Sequence, residues 1–246
     1  NSITTNEKLI AVLSGSNFLY AGNSETTPFY VHALSVNSYI NSAWRVINGG
    51  SQISKALIKK LRSFGADLFK HQEVIGFRTE ADQIVSCFTA NEEFQAKIFV
   101  SNINLKHTIA LVGEEKFGKP FAKRLKSLKV VPSVFSLHLV LKPNVIPYFN
   151  NNIYHFKNIE AVWTSQNQKE DNWPQHAVIT TNIKDKKQMF CDSLTVMTYM
   201  NFDEVAEWEE SFNTVKNQIN RGSSYNKFKE ERTERLLNLV AEKFPT

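Results

Sequence analysis

The chain has 246 residues, 42% of them hydrophobic, which is enough apolar sequence for a substantial globular core. Its 29 Lys and Arg against 24 Asp and Glu give a net charge of +5 that is spread over many segments, whereas a nucleic-acid-binding surface would be more clustered. No stretch approaches the run of about 18 apolar residues that a membrane-spanning helix needs, and nothing near Cys87 or Cys191 supplies the C-x-x-C spacing of a metal site.

Two helices are predicted in the N-terminal segment. Apolar residues recur at helical spacing from Glu7 to Leu13, after a polar residue, Asn6, that can cap the first turn. The segment from Phe29 to Ile40 returns to the same pattern after a polar loop. His32 lies within this second run, where a lone histidine is more often a hydrogen-bonded structural group than a catalyst.

The stretch from Trp44 to Asn102 carries the functional signal. Its adjacent glycines, Gly49 and Gly50, allow positive φ or the close approach of a ligand just before a helix predicted from Ile53 to Leu61, which Gly65 is placed to end. Four short strands are predicted to follow, the last two as a hairpin: Asp67–Phe69, Val74–Phe77, Ile84–Phe88 and Phe94–Val100. Taken alone, this is a helix followed by a small mixed sheet, in which the glycines could simply make turns.

The second half of the chain is predicted to contain helices at His107 to Val112 and Phe121 to Leu128, and then a sheet. Its five strands are Val134–Leu141, Asn152–Phe156, Ala161–Thr164, Ala177–Thr181 and Ser193–Met200. Alternation in the first of them places Ser136 and His138 on one face. Two closing helices are predicted at Asp203–Ile219 and Tyr225–Phe244. The short connections favour an α+β fold, a mostly antiparallel sheet with helices on one face.

Five aromatic residues in these predicted strands allow two interpretations. They are either ordinary core residues or the lining of an apolar ligand site. They are Phe135, Tyr154, Phe156, Trp163 and Tyr199.

The order of parts from Gly49 onward resembles the middle of the phytoene desaturase, carotenoid isomerase and retinol saturase group of FAD-dependent oxidoreductases. That group has a Gly-Gly turn, a helix, a short strand after a glycine, a V-x-x-I-like strand, a hairpin, and a strand ending in V-I-S-N. The corresponding final strand here ends in Phe99-Val100-Ser101-Asn102, without the isoleucine, and Phe77 stands where the V-x-x-I-like strand has isoleucine. Residues 6–30 and 225–245 are similar to the group's early and late helical segments.

The resemblance implies a division of the chain. Residues 44–104 would be a portion of the FAD-binding domain, a partial α/β unit, and residues 1–43 and 105–246 would form a substrate-type α+β domain. Because no G-x-G-x-x-G occurs in the chain, the resemblance implies an internal fragment of a longer enzyme. FAD is expected as the cofactor of the longer protein, and the fragment alone is expected neither to retain it nor to be active.

The resemblance also assigns roles to individual residues. Gly49 and Gly50 would let the backbone approach the flavin, Val74 would present main-chain groups to its adenine end, and Ser101 with Asn102 would finish the strand beside it. The five aromatic residues named above would line a long apolar tunnel for substrate. The resemblance identifies no catalytic residue and no metal ligand. His107 is a further site candidate, because in the full-length fold the strand end that it follows would lie near the flavin.

The function implied is an oxidoreductase acting on a polyene or another isoprenoid lipid by desaturation, saturation or isomerisation. The alternative is a non-catalytic lipid-binding or protein-interaction module. The partners implied are an apolar small molecule and the remainder of the same chain, not nucleic acid. A cytoplasmic location is expected, and peripheral membrane contact through basic clusters such as Lys123-Arg124 is left open.

Overall fold

The structure is a computed structural model that describes residues 4–128, 132–164, 170–211 and 219–245. It has the α+β architecture predicted from the sequence, with helices and two antiparallel sheets. The chain divides into two compact units, one formed by Asn1–Ser54 with Val131–Thr246 and the other by Lys55–Val130. These two units are defined by their contacts and not by their functions. The predicted division into a flavin-domain portion, residues 44–104, and a substrate-type domain therefore stays a prediction.

The helices and strands have the following bounds. The helices are α1 Glu7–Ser14, α2 Phe29–Asn41, α3 Ser51–Ser63, α4 Leu105–Val112, α5 Lys119–Ser127, the short α6 Ala161–Thr164, and α7 Gly222–Lys243. The strands are β1 Gly76–Glu80, β2 Gln83–Phe88, β3 Glu93–Gln95, β4 Ser133–Val140, β5 Ile153–Phe156, β6 His176–Asn182 and β7 Ser193–Met200. Short 3₁₀ helices occupy Gly15–Tyr20, Glu114–Lys116, Glu170–Asn172 and Phe202–Trp208. Among the helices of the described ranges, none is both long and apolar enough to cross a membrane.

Local signals explain where the N-terminal helices begin and end. The side chain of Asn6 accepts a hydrogen bond from the Leu9 backbone N–H at the start of α1, as predicted. Gly65 has a φ of +76° just after α3, which is the left-handed conformation that ends helices. Helix α3 begins at Ser51, directly after the glycine pair.

The sheet of the larger unit is antiparallel throughout, in the order β4-β7-β6-β5. Its register places Leu137 and Ile179 on either side of Val196, so these side chains share one face. On that face the strands pack against Leu236 and Val240 of α7, forming the buried core. The alternation predicted for β4 is confirmed, since Ser136 and His138 are exposed on its other face.

The second face of this sheet is covered at the β5 and β6 end. There the ring of Phe18 stacks on Tyr199 with a centroid separation of 4.6 Å, and Phe156 stacks on His176. The Asn17 side chain donates a hydrogen bond to the Val162 carbonyl, which ties the 3₁₀ turn after α1 to α6. The N-terminal segment therefore covers the β5, β6 and β7 part of the second face, and the β4 part of that face is exposed.

The sheet of the smaller unit has the order β1-β2-β3, and its pairs are antiparallel rather than mixed. The hairpin between β2 and β3 is where the sequence predicted it. A Cβ at Gly76 would lie 2.6 Å from the end of the Phe88 ring, so any larger residue there would displace that ring.

Two predicted strands of the smaller unit are irregular in the structure. Residues 67–69 make no strand pairing, and the strand predicted at Phe94–Val100 is paired only over Glu93–Gln95. The side chains of Ile98 and Val100 are 80% and 90% exposed. The β-forming residues are present, but an extended segment forms a strand only where a neighbouring strand supplies hydrogen bonds, and no described residue does so here.

The strand predicted at Ala161–Thr164 is wrong, because this segment is helix α6. The Asn158 side chain accepts a hydrogen bond from the Ala161 backbone N–H at 2.8 Å and so caps a helical turn. The main sheet therefore has four strands among the described residues, not five. Of the helix predicted at Asp203–Ile219, the structure shows a 3₁₀ helix at Phe202–Trp208, and residues 212–218 lie outside the described ranges.

Candidate ligand-binding site

The larger unit contains an apolar groove of about 830 Å³. Helices α1 and α2, strand β5 and the start of α6 supply its walls. Its apolar lining includes Ala11, Val12, Leu13, Val36, Phe156 and Val162. Because few polar groups line it, this groove suits a hydrocarbon chain.

A polar groove of about 810 Å³ adjoins the apolar one. Its lining includes Arg45, Asn150, Asn151, Asn152, Asn182 and Lys186. Tyr39 of α2 and Tyr154 of β5 line both grooves, so the two meet at this tyrosine pair. An apolar space and a polar space joined in this way match a ligand with a hydrocarbon body and a polar end.

Arg45 holds the wall of the polar groove in place. Its guanidinium donates to the Thr181 carbonyl at 2.8 Å and to the Thr181 hydroxyl at 2.7 Å. It also donates to the Asn152 side chain at 3.0 Å and to the Asn151 carbonyl at 3.3 Å. Sequence reasoning missed this residue, because its partners are more than a hundred positions away and no local pattern marks it.

The hydroxyl of Tyr154 lies at the junction of the two grooves. Its oxygen is buried beside the side chains of Asn152 and Tyr39. Burial raises the pKa of this hydroxyl, while the nearby Asn152 lowers that pKa and Tyr39 raises it, both more weakly. The phenol is therefore protonated near neutral pH.

A buried histidine lies beneath the Phe156 side of the apolar groove. His176 is 1% exposed and is surrounded by the rings of Phe18, Phe156 and Tyr199. Its Nε2 accepts a hydrogen bond from the Tyr199 backbone N–H at 3.2 Å. Burial, with a smaller contribution from His155, lowers the pKa of His176 to about 4, so the ring is neutral at physiological pH.

The predicted structural role of His32 is confirmed. Its Nδ1 and the Tyr20 hydroxyl form a hydrogen bond of 2.7 Å beside a third groove of about 790 Å³, which Trp163 also lines. Burial raises the pKa of the Tyr20 hydroxyl.

The five aromatic substrate-site candidates do not form a single surface. Tyr154 and Phe156 lie together in the apolar groove, and Trp163 of α6 lines the third groove. Tyr199 is buried beneath them and donates its hydroxyl to the Phe18 carbonyl at 2.7 Å. Phe135 lies on the opposite face of the sheet, where its ring meets Trp173. Strand alternation places Phe135 on the other side of the sheet, so the five residues do not share one groove within this chain, and their role as a substrate tunnel stays a prediction.

The glycine pair forms a turn, and neither glycine has a neighbouring side chain packed against it. Gly49 has a φ of +82°, which favours glycine, and its N–H donates to the Val46 carbonyl. Gly50 lies directly before α3, and a Cβ added there would meet nothing within 4 Å. The packing of the chain itself therefore does not explain why residue 50 is glycine.

The other cofactor-site candidates belong to the smaller unit. Val74 is half-buried just before β1, next to Ile75, whose N–H donates to the Phe88 carbonyl. Ser101 and Asn102 are exposed in the irregular segment before α4, where the Ser101 hydroxyl bonds that of Thr108 at 2.8 Å. The prediction that Ser101 and Asn102 end a strand is therefore wrong, because residues 96–102 form no strand. His107 is exposed on α4.

In the described part of the chain, no group of three or more His, Cys, Asp or Glu side chains could hold a metal ion.

The chemical features of the site are the apolar space, the adjoining polar space and the buried phenol between them. They define a pocket for an amphipathic small molecule.

The chain is similar to all-trans-retinol 13,14-reductase from Danio rerio, with 25% identity. The alignment covers 100% of this chain and 43% of the relative, so the chain spans less than half the length of that protein. No protein-family model matches the chain, and no solved structure matches it. The similarity supports the retinol saturase part of the resemblance drawn from the sequence, and the phytoene desaturase and carotenoid isomerase part stays a prediction.

Proposed function

We propose that this chain is the substrate-binding part, with an adjoining portion of the flavin domain, of an FAD-dependent oxidoreductase acting on a polyene or another isoprenoid lipid. The observation that carries the proposal is the apolar groove. Its volume of about 830 Å³ falls within the range of roughly 300–1,000 Å³ that is usual for small-molecule sites. A long hydrocarbon needs such a surface because it cannot satisfy buried polar groups.

The similarity to a protein named as a retinol reductase supports the same substrate class and a redox reaction. Reduction of a double bond is the reaction that this name favours over desaturation and isomerisation. The three reactions share one kind of scaffold, so the apolar groove does not by itself distinguish among them.

The glycine pair fits the approach of a cofactor. Bound FAD would supply the hydride chemistry. Gly50 is exposed at the start of α3, where the backbone N–H groups of a helix N-terminus suit the negative charge of a diphosphate. The remaining phosphate-binding elements would come from a longer protein, so the chain by itself is expected to hold little flavin.

The apolar groove can be tested by filling it. We expect Val36→Trp to weaken binding of all-trans-retinol to the chain about tenfold or more, because the indole occupies apolar area that the ligand would bury. Retinol fluorescence measures the binding. Val140→Trp is the matched control, since Val140 is 92% exposed on β4 and lines none of the three grooves. Equal losses in the two variants, or none in either, would count against the groove as the binding site.

The cofactor role can be tested in the protein expressed from the complete reading frame that encodes this chain. We expect Gly50→Val to lower bound flavin severalfold with little change in melting temperature, because its side chain blocks the close approach of a ligand. Flavin absorbance per mole of protein and thermal unfolding are the two measurements. Gly118→Val is the control, since an added Cβ there also meets nothing within 4 Å.

Two outcomes would change the proposal. Unchanged flavin content in the Gly50→Val protein would remove the glycine pair from the cofactor site. A complete protein that binds retinol but carries no flavin would favour the alternative, a lipid-binding module without redox activity.

A further inference from the structure

Helix α3 has an apolar side that the described part of the chain leaves uncovered. Leu57, Leu61 and Phe64 are spaced four and three positions apart, so their side chains lie on one face of the helix and its end. They are 60%, 47% and 73% exposed, and α3 contains no buried residue. These three residues are called the α3 face below. The opposite side of the helix is basic and includes Lys59.

The smaller unit, to which the α3 face belongs, buries little apolar surface. Among its described residues, the buried apolar side chains are Ile109, Ala122 and Leu125. A folded unit of this size ordinarily buries more than half of its surface around one core. Exposed apolar surface of this extent marks a site of contact with another body. Outside the α3 face, the exposed apolar side chains of the unit include Leu68, Phe69, Ile75, Ile98, Val100 and Ile103.

The segment before α4 indicates that the other body is protein and not lipid. Residues 97–100 have strand composition, and their backbone groups make no hydrogen bond with any described residue. The ring of Phe99 meets that of Phe77 on β1, whereas Ile98 and Val100 are exposed. Hydrocarbon would leave these backbone groups without partners, but a strand of a neighbouring protein surface supplies them.

The glycine pair indicates which protein surface this is. Gly50 directly precedes α3, where a diphosphate would meet the helix N-terminus and the other phosphate-binding elements would come from a longer protein. Leu57 follows about two helical turns later, on the same side of α3 and about 10 Å along its axis. Protein that surrounds a diphosphate at Gly50 is therefore within reach of the α3 face. The similar reductase has more than half of its length outside the alignment, which covers 43% of it.

We propose that the α3 face is the docking surface for the part of the flavin domain that lies outside this chain. The inference rests on the proposed function and names the partner of the helix that follows the glycine pair. The contact is apolar, and the basic side around Lys59 stays in solvent. Docking holds α3, and with it the backbone of Gly50, against the domain that supplies the rest of the cofactor site.

The test measures the burial of Leu57 in the protein expressed from the complete reading frame. Leu57→Cys and the control Lys59→Cys, an exposed position on the opposite side of α3, are labelled with a maleimide. Mass spectrometry of the labelled peptides separates the introduced thiols from Cys87 and Cys191. Each rate is divided by the rate in urea, which corrects for the reactivity of the thiol itself. We expect the corrected rate for Leu57→Cys to be about tenfold lower or less, relative to Lys59→Cys, because labelling then requires the docked surfaces to open.

Leu61→Cys should be protected like Leu57→Cys, which guards against a local effect of one substitution. Equal corrected rates at the apolar and basic positions would overturn the inference, since all of them are exposed in this chain. Protection that disappears on dilution would show a second copy on the α3 face. Protection that requires phosphatidylserine vesicles would show a membrane there, and either result overturns the inference. A complete protein no longer than this chain would overturn it as well.

Flavin absorbance of the same samples separates this inference from the proposed function. A protein that carries flavin but labels equally at both positions overturns the inference and leaves the proposed function standing. A protein without flavin removes the proposed function, and the inference fails with it. Bound flavin together with protection of Leu57→Cys and Leu61→Cys supports both.

Discussion

Replacing Glu204 by alanine is expected to lower the free energy of unfolding by about 2–3 kcal/mol, because a hydrogen bond between charged groups in a largely buried pair is lost. Arg232 of α7 is 3% exposed, and its NH2 lies 2.6 Å from the Glu204 Oε2. The guanidinium also stacks on Trp173, 4.4 Å from the ring centroid. Without Glu204 the Arg232 guanidinium loses this ion pair, while its stacking on Trp173 remains.

Glu204 also caps the 3₁₀ helix that begins at Phe202, since its Oε1 accepts from the Asn201 backbone N–H at 2.8 Å. Glu204→Gln separates the two roles, because the amide oxygen can keep the cap while the charge is lost. A double-mutant cycle with Arg232→Met then measures the charge interaction, and we expect a coupling of about 2 kcal/mol or more. Denaturant unfolding provides the free energies.

An exposed ion pair supplies the comparison. Lys227 and Glu231 are 3.9 Å apart on the outer side of α7. Glu231→Ala should change the free energy of unfolding by about 0.5 kcal/mol or less, as exposed pairs do. A loss of that same size for Glu204→Ala would show that burial of the Arg232 pair contributes little.

Lowering the pH from about 6.5 to about 4 is expected to reduce the free energy of unfolding by about 3 kcal/mol through His176 alone. The unfolded histidine has an ordinary pKa near 6.5 and takes up a proton in this range, whereas the folded ring, with a pKa of about 4, does not. Protons therefore bind more strongly to the unfolded state, and stability falls as the pH falls. Below about pH 4 both states are protonated, and this contribution changes no further.

The contribution of His176 can be isolated with His176→Gln, whose side-chain oxygen can still accept the Tyr199 N–H but does not titrate. Unfolding by denaturant is measured for both proteins from pH 7 to pH 4. The unaltered chain should lose about 3 kcal/mol more than the variant. Parallel curves would mean that His176 is protonated as easily in the folded state as in the unfolded one.

Periodicity and local caps determined much of the secondary structure without help from the rest of the fold. The helices at Glu7–Ser14, Phe29–Asn41 and Gly222–Lys243 were predicted because apolar residues recur at helical spacing. Strands β4 and β7 were predicted from alternation and β-branched content. These signals act over a few residues, so a sequence displays them directly.

Tertiary structure decided which extended segments became strands and which side chains meet. Residues 96–100 have strand composition but pair with no strand of the described ranges, and Ala161–Thr164 became a helix because Asn158 caps it. Strand register across the four-stranded sheet places Phe135 and Tyr154 on opposite faces. The hydrogen bond from Arg45 to the Thr181 carbonyl joins residues that are far apart in the sequence. Strand pairing, burial and hydrogen-bond satisfaction are properties of neighbours in space. For that reason the sequence indicated an apolar ligand, whereas only the packed fold showed the groove and the residues that line it.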